Sequence, residues 1–253
     1  MRNKSTSQTK IFLFVLLYFF LWIILFEFII PANNTVPKPS IVFLSFSALW
    51  NDYNLLTNSL VTITSVYIPL IAAYFLLELF ASLLIKPSNF LEDFLMSLNW
   101  FSNYIPAIIF GIFLIYWFPY SNLIEFIFSF VFGFLSLAIL YLVEVKHVES
   151  EYLDSAISLG ANEGIISRKV IWKAVQPKLF RHLIKLHFNI WSVLIIFEFI
   201  KGSNGIGEIF RLSLSYHDVS ALFAVFLITG VLIYLGVHII KYLQNKFCHW
   251  SFN

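Results

Sequence analysis

The chain reads as an all-α, polytopic membrane protein with about six transmembrane helices and a structured polar loop between the fourth and fifth. Three observations predict this. Of its 253 residues, 60% are hydrophobic and 12% charged, whereas soluble domains carry about 45–50% and about 25%, and the mean hydropathy is +0.84. The apolar residues form continuous runs of about 20, the length a helix needs to cross a bilayer core, not the alternation over roughly ten positions that marks barrel strands. Of the 16 Lys and Arg, only Lys38, Lys201 and Arg211 fall on one face of the resulting topology, and the basic face is the cytoplasmic one.

The N-terminal residues 1–10 carry Arg2, Lys4 and Lys10 and are placed in the cytoplasm. The first span, 11–30, ends at Pro31. It exceeds the usual 7–15 residue core of a signal peptide and lacks a small-residue cleavage site, so a retained signal anchor is expected. The extracytoplasmic segment 31–59 contains Pro37-Lys38-Pro39-Ser40. Pro39 or Ser40 can start a short surface-lying helix that ends near Trp50, with an irregular loop as the alternative. The remaining stretch, 60–253, holds five further spans: Leu60–Ile85, bounded by Lys86-Pro87; Trp100–Phe118, ending at Pro119; Leu123–Val143; Leu183–Ile200; and Val219–Ile240. An even number of spans puts both termini on the cytoplasmic side.

Residues 144–182 form the one long polar connection on that side. Connections longer than about 12 residues usually have structure or function of their own. Ser150 can cap a helix beginning at Glu151, and Gly160 can end it in a left-handed conformation. Asn162 can cap a second helix, with Glu163 in its first turn. Ile166, Val170, Ala174 and Pro177 share one face of it, and Pro177 is expected to break or kink it before the fifth span. Two short helices meeting at Gly160 would form an elbow for a partner to dock on.

These residues resemble a known family. Asp154-Ser155-Ala156, three residues, Gly160, nine residues, Val170-Ile171-Trp172-Lys173 and then Pro177 are similar to the E-A-A-x3-G-x9-I-x-L-P loop of membrane permeases of binding-protein-dependent ABC importers. Asp154 stands for Glu, Ser155 for the first Ala and Lys173 for the proline of that pattern. The nitrate, sulfonate and taurine type of permease is resembled further by Val36-Pro37-Lys38-Pro39-Ser40, by Asn103-Tyr104-Ile105-Pro106-Ala107 at the start of the third helix, and by Glu198-Phe199-Ile200 before Gly202-Ser203-Asn204-Gly205-Ile206-Gly207. The ending at Trp250 also fits. The resemblance implies a bacterial inner-membrane protein that pairs with a second permease copy, likewise this chain. It further implies two cytoplasmic ATPases that bind the ATP and an extracytoplasmic substrate-binding protein. Glu151, Asp154, Ser155, Ala156, Gly160 and Ala161 would form the coupling helix that contacts the ATPase.

The sequence agrees that nucleotide is bound elsewhere. It contains no G-x-x-x-x-G-K-[ST] phosphate loop, and the glycines of 202–207 read as a turn. No catalytic group, metal site or cofactor is expected: the histidines lack ligand spacing, and the lone Cys248 excludes an internal disulfide. Net charge of +2 gives no argument for nucleic acid. Ionisable residues inside spans are functional candidates by default. Glu27 and Glu125 lie near outer ends, where they can reach water. Glu78 lies deeper, and Glu198 coincides with an acidic position of the resembled subfamily. Glu78, Asn189 and Glu198 are candidates for the substrate path, while Asn189, Trp191 and Ser192 can also be packing residues. A secondary transporter driven by an ion gradient, with Glu78 and Glu198 relaying protons, is the alternative. An intramembrane enzyme would need clustered catalytic groups that the spans lack.

Overall fold

A computed structural model describes residues 4–31, 35–85, 88–102, 104, 106–119, 121 and 123–252 of the chain. Arg2, Lys86, Pro87, Asn103 and Ile105 of the reading above lie outside the described residues. Every regular element among the described residues is helical. In chain order these are α1 (Lys4–Ile23), running on as a π-helical stretch to Ile29; α2 (Pro39–Asn51); α3 (Leu55–Ile85); α4 (Asn89–Ser102); α5 (Ala107–Trp117); α6 (Ile124–Val145); α7 (Ser150–Ser158); α8 (Glu163–Ile165); α9 (Trp172–Lys201), joined to α8 by the π-helical stretch Ile166–Ile171; α10 (Ile206–Ser215); and α11 (Val219–Phe247), followed by a 3-10 turn at His249–Phe252.

Four of these are long and apolar enough to cross a membrane: Leu55–Ile85, Ile124–Val145, Glu163–Lys201 and Val219–Phe247. The first expected span lies within α1 and its π-helical continuation, with Leu13–Ile29 as an apolar stretch, and the third appears as the shorter apolar helix Ala107–Trp117. The third differs from expectation for a local reason. Pro106 takes an extended conformation with φ −56° and ψ 134° and caps α5 from outside. The helix therefore starts seven residues after Trp100, and at ~1.5 Å per residue it covers about 16 Å. The preceding residues, read as a loop and a span start, fold separately as α4.

α3, α6, α9 and α11 form the core. α3 packs on α6, and α9 touches α3, α6 and α11. The largest fully buried side chains include Trp191, Tyr141, Phe128 and Phe197. α2 forms as expected, with Pro39 in its first turn. It packs on α11 through a face that buries Val42 and Leu49, while Trp50 stays exposed. Glu27 does more than reach solvent. Its carboxylate accepts from Ser40 N at 3.1 Å and Ser40 Oγ at 2.9 Å, which places a negative charge at the α2 N-terminus, where the helix dipole favours it.

One end of the bundle carries residues 146–171 and is called the elbow end; the other carries the 202–207 turn. At that second end Asp218 caps α11 by accepting from Ala221 N at 2.9 Å and also accepts from Tyr53 Oη at 3.2 Å. Burial and the Asp218 charge push the Tyr53 phenol up to about 12, so it remains a neutral donor.

Candidate functional site

The elbow takes its shape from local chemistry. α7 starts at Ser150, with Glu149 at the cap position and no side-chain cap. Ser150 is thus the first helical residue and does not cap. At the far end Gly160 has φ +77°. Its N–H donates to Ile157 O at 2.9 Å, and Ala161 N donates to Ala156 O at 3.0 Å. These paired bonds, 5→2 and 6→1, are a Schellman stop, which needs a left-handed residue and so favours glycine. Asn162 then caps α8, its Oδ1 accepting from Ile165 N at 2.9 Å.

The structure brings Glu151, Asp154, Ser155, Ala156, Gly160 and Ala161 into one projecting unit. Ala156 and Ala161 are half-buried and the other four exposed. No residue of α7 is buried, and Tyr152, Ile157, Leu159 and Ile165 present apolar surface to solvent. α7 rests on the π-helical stretch, with Leu153 packed toward the core. A cleft of about 150 Å³ under the elbow is lined by Glu144, His147, Tyr152 and Lys178, among others. Ion pairs Lys146–Glu92 and Lys178–Glu144 tie α4, α6 and α9 together beside it.

Pro177 neither ends nor interrupts α9, which runs through it from Trp172 to Lys201. A proline inside a helix removes the N–H that would bond the carbonyl four residues earlier, here that of Lys173. That carbonyl accepts from the indole Nε1 of Trp250 at 3.3 Å. The Lys173 ammonium lies 4.4 Å from the centroid of the same ring and donates to Gln176 Oε1 at 3.1 Å. Gln176 Nε2 donates in turn to Tyr74 Oη on α3 at 2.8 Å. Sequence reading missed this network because its members are far apart in the chain; the signal available was the proline itself.

The three substrate-path candidates are not brought together. Glu78 lies seven residues from the α3 terminus at Ile85, about 10 Å along the helix from that end. It is exposed and shares a cleft of about 370 Å³ with Arg168 and Trp172. Asn189 is exposed at mid-α9. Glu198 is fully buried, nine residues further along α9. Trp191 is fully buried as packing, and Ser192 bonds its own helix at Phe188 O.

Glu198 organises the 202–207 turn. Gly202 ends α9 at φ +66°, and Gly205 has φ +101°. The N–H groups of Gly205, Ile206 and Gly207 then point inward. Gly205 N donates to Asn58 Oδ1 at 2.9 Å, Ile206 N to Thr62 Oγ1 at 2.8 Å and Gly207 N to Glu198 Oε2 at 3.0 Å. The Thr62 hydroxyl donates to the Glu198 carboxylate at 2.8 Å. The row of donors that gives a glycine-rich turn its superficial likeness to a phosphate loop is therefore consumed by the protein's own oxygens. A Cβ at Gly207 would strike the α9 backbone at Ile195 O and Phe199 N.

Glu125 does not reach water. It and Lys201 form an ion pair at 2.6 Å with side chains 3% and 5% exposed, and Lys201 also donates to Ser121 O at 3.1 Å. The histidines on α9 have their own partners: His187 Nε2 bonds Tyr67 Oη and His182 Nε2 bonds Ser136 Oγ, both at 2.8 Å.

Residues 77–247, more than half of the chain, match the family described as binding-protein-dependent transport system inner membrane component. The match takes in the elbow, the 202–207 turn and all but the start of the helical core. No curated protein and no solved structure matches the chain.

Proposed function

The chain belongs to the inner-membrane components of binding-protein-dependent transport systems, and from that premise we propose that it is the permease subunit of an ATP-binding-cassette importer. Two copies form the substrate path, each engaging a cytoplasmic ATPase, and an extracytoplasmic binding protein delivers the solute. ATP is held by the ATPases, and this chain works as a transport subunit rather than an enzyme. The elbow end and both termini face the cytoplasm. The solute is small and nitrate-, sulfonate- or taurine-like, or a vitamin precursor.

The observation that carries this reading is the elbow. A nine-residue helix with no buried residue gains little from its own fold. It is nonetheless shaped by a Schellman stop at Gly160 and a side-chain cap at Asn162, with apolar side chains left on its surface. An ATPase cleft that covers Ile157 and Leu159 would bury that surface, at roughly 25 cal/mol per Å². Glu151, Asp154 and Ser155 form the polar part of the contact, and Ala156 and Ala161 sit where a close approach needs small side chains.

Cysteine crosslinking in native membranes tests it. Ala156→Cys and Ala161→Cys are expected to capture an ATPase subunit, and Gly160→Pro and Asp154→Arg to abolish its co-purification. Uptake that continues without any ATPase and collapses with the proton gradient would refute the reading and favour a secondary carrier.

A further inference from the structure

We infer that Trp250 is a positioning residue for coupling: its indole N–H replaces the backbone donor that Pro177 removes, and so fixes the helix that joins the elbow to the membrane core. The inference rests on the importer reading for its consequence in transport, and on geometry alone for its effect on the helix.

A continuous helix through proline is costly in one specific way. Pro177 cannot return an N–H to the Lys173 carbonyl, and the ring crowds the same turn. Left alone, that carbonyl is the weak point at which α9 would kink, one residue after its start at Trp172. Beyond this point lie the π-helical stretch, Asn162, Gly160 and α7. A kink at 173–177 would therefore swing the whole elbow, and displacement applied to the elbow would be absorbed there before reaching the core.

The C-terminal turn occupies that point. Trp250 Nε1 donates to the Lys173 carbonyl at 3.3 Å, and the ring lies under the Lys173 ammonium at 4.4 Å. The turn is itself anchored. Cys248 is fully buried, and Phe247 stacks on Phe180 of α9, with ring centroids 6.4 Å apart. From Lys173 the contacts continue through Gln176 to Tyr74 on α3, and the Tyr74 ring packs on Trp172 at 5.7 Å. The proline-weakened turn is thus held by α11 from one side and α3 from the other.

The decisive experiment pairs two substitutions. Trp250→Phe keeps an aromatic face for Lys173 and removes only the N–H. Pro177→Ala restores the backbone N–H, so that the Lys173 carbonyl no longer depends on Trp250. In the assembled transporter, Trp250→Phe is expected to keep ATP hydrolysis while solute moved per ATP falls at least threefold, and the Pro177→Ala/Trp250→Phe double variant to return within twofold of the parent. In the permease alone, amide exchange over residues 166–176, the turns next to the Lys173 carbonyl, should quicken about tenfold in Trp250→Phe and be restored in the double variant. A Trp250→Phe protein with unchanged exchange overturns the inference, as does a double variant that fails to recover. An assembly that never forms even with the parent chain defeats the importer reading instead, and the exchange measurement still decides this one.

Discussion

Removing the Glu198 side chain separates a structural role from a transport role. Glu198→Ala leaves the Gly207 N–H without an acceptor and takes away the acceptor of the Thr62 hydroxyl. An orphaned buried polar group costs about 1–3 kcal/mol. The hydroxyl falls back on the longer bond to the Asn58 carbonyl at 3.3 Å and loses about 1 kcal/mol, so the total is about 2–4 kcal/mol. At about 2–4 °C per kcal/mol for a chain of this size, the unfolding temperature of the purified protein should drop by about 4–16 °C. Glu198→Gln behaves differently. Its carbonyl accepts from Gly207, and its amide donates to Thr62 Oγ1, which still accepts from Ile206 and turns its own proton to Asn58. Every group is then satisfied within the capacity of a hydroxyl, and the loss should stay below about 1 kcal/mol. Thermal unfolding followed by tryptophan fluorescence distinguishes the two variants. Equal loss in both would show that the charge, not the hydrogen-bond pattern, holds the turn, and the reasoning fails. A stable Glu198→Gln protein that has lost uptake would place the carboxylate in the substrate path.

Three further outcomes follow from the same geometry. Gly160→Ala meets no atom within 4 Å but holds φ +77°, a strain of about 1–2 kcal/mol for an L-residue; ATPase affinity, titrated on permease in nanodiscs, should weaken about 5–30-fold with the unfolding temperature unchanged. Glu125→Ala strands the buried Lys201 ammonium and should cost about 3–5 kcal/mol, whereas Glu125→Leu with Lys201→Met should recover most of it, as read by thermal unfolding. Lys146→Ala breaks a pair whose partners are 55% and 33% exposed and should change stability by less than about 1 kcal/mol in the same assay.

What was legible in the sequence was whatever depends on neighbours in the chain. The apolar runs of α3, α6 and α11 are read from hydropathy, α6 within two residues at each end, while α3 starts five residues earlier and α11 ends seven residues later than the apolar run. The Schellman stop at Gly160 and the cap at Asn162 are read from rules that span six residues or fewer. Misreadings came where the deciding partner is distant. Pro177 reads as a helix breaker because the donor that compensates it, Trp250, lies 77 residues from the Lys173 carbonyl it serves. Glu125 reads as water-facing because nothing near it announces Lys201, 76 residues on. The partners of Glu198 are equally hidden, because an acid in an apolar run carries no mark of Thr62 or of the Gly207 amide that it accepts from. The third span is a different case: Ser102-Asn103-Tyr104 and the extended Pro106 that caps α5 stand in the sequence itself, but the apolar residues on either side of them read as one run.

The same contacts determine where the fold opens first, which hydrogen exchange can measure. At the end carrying the 202–207 turn, the bonds of Asn58, Thr62, Glu198 and the Glu125–Lys201 pair are all buried. Opening there must leave polar groups unpaired in an apolar setting, at about 1–3 kcal/mol each, so amides of 205–212 should exchange only with opening of the bundle. At the elbow end, the nearby ion pairs are partly exposed and contribute about 0–1 kcal/mol apiece. α7, with no buried residue, keeps its helical bonds, its Schellman stop and the partial packing of Leu153. Amides of 151–159 should therefore exchange by local opening, several orders of magnitude faster than those of 205–212. Binding of an ATPase should slow the first set and leave the second unchanged, because the partner supplies the burial that α7 lacks. Equal protection at the two ends in the free protein would mean that α7 is held by contacts other than those described. The elbow would then be a rigid extension of the core, with no surface left waiting for a partner.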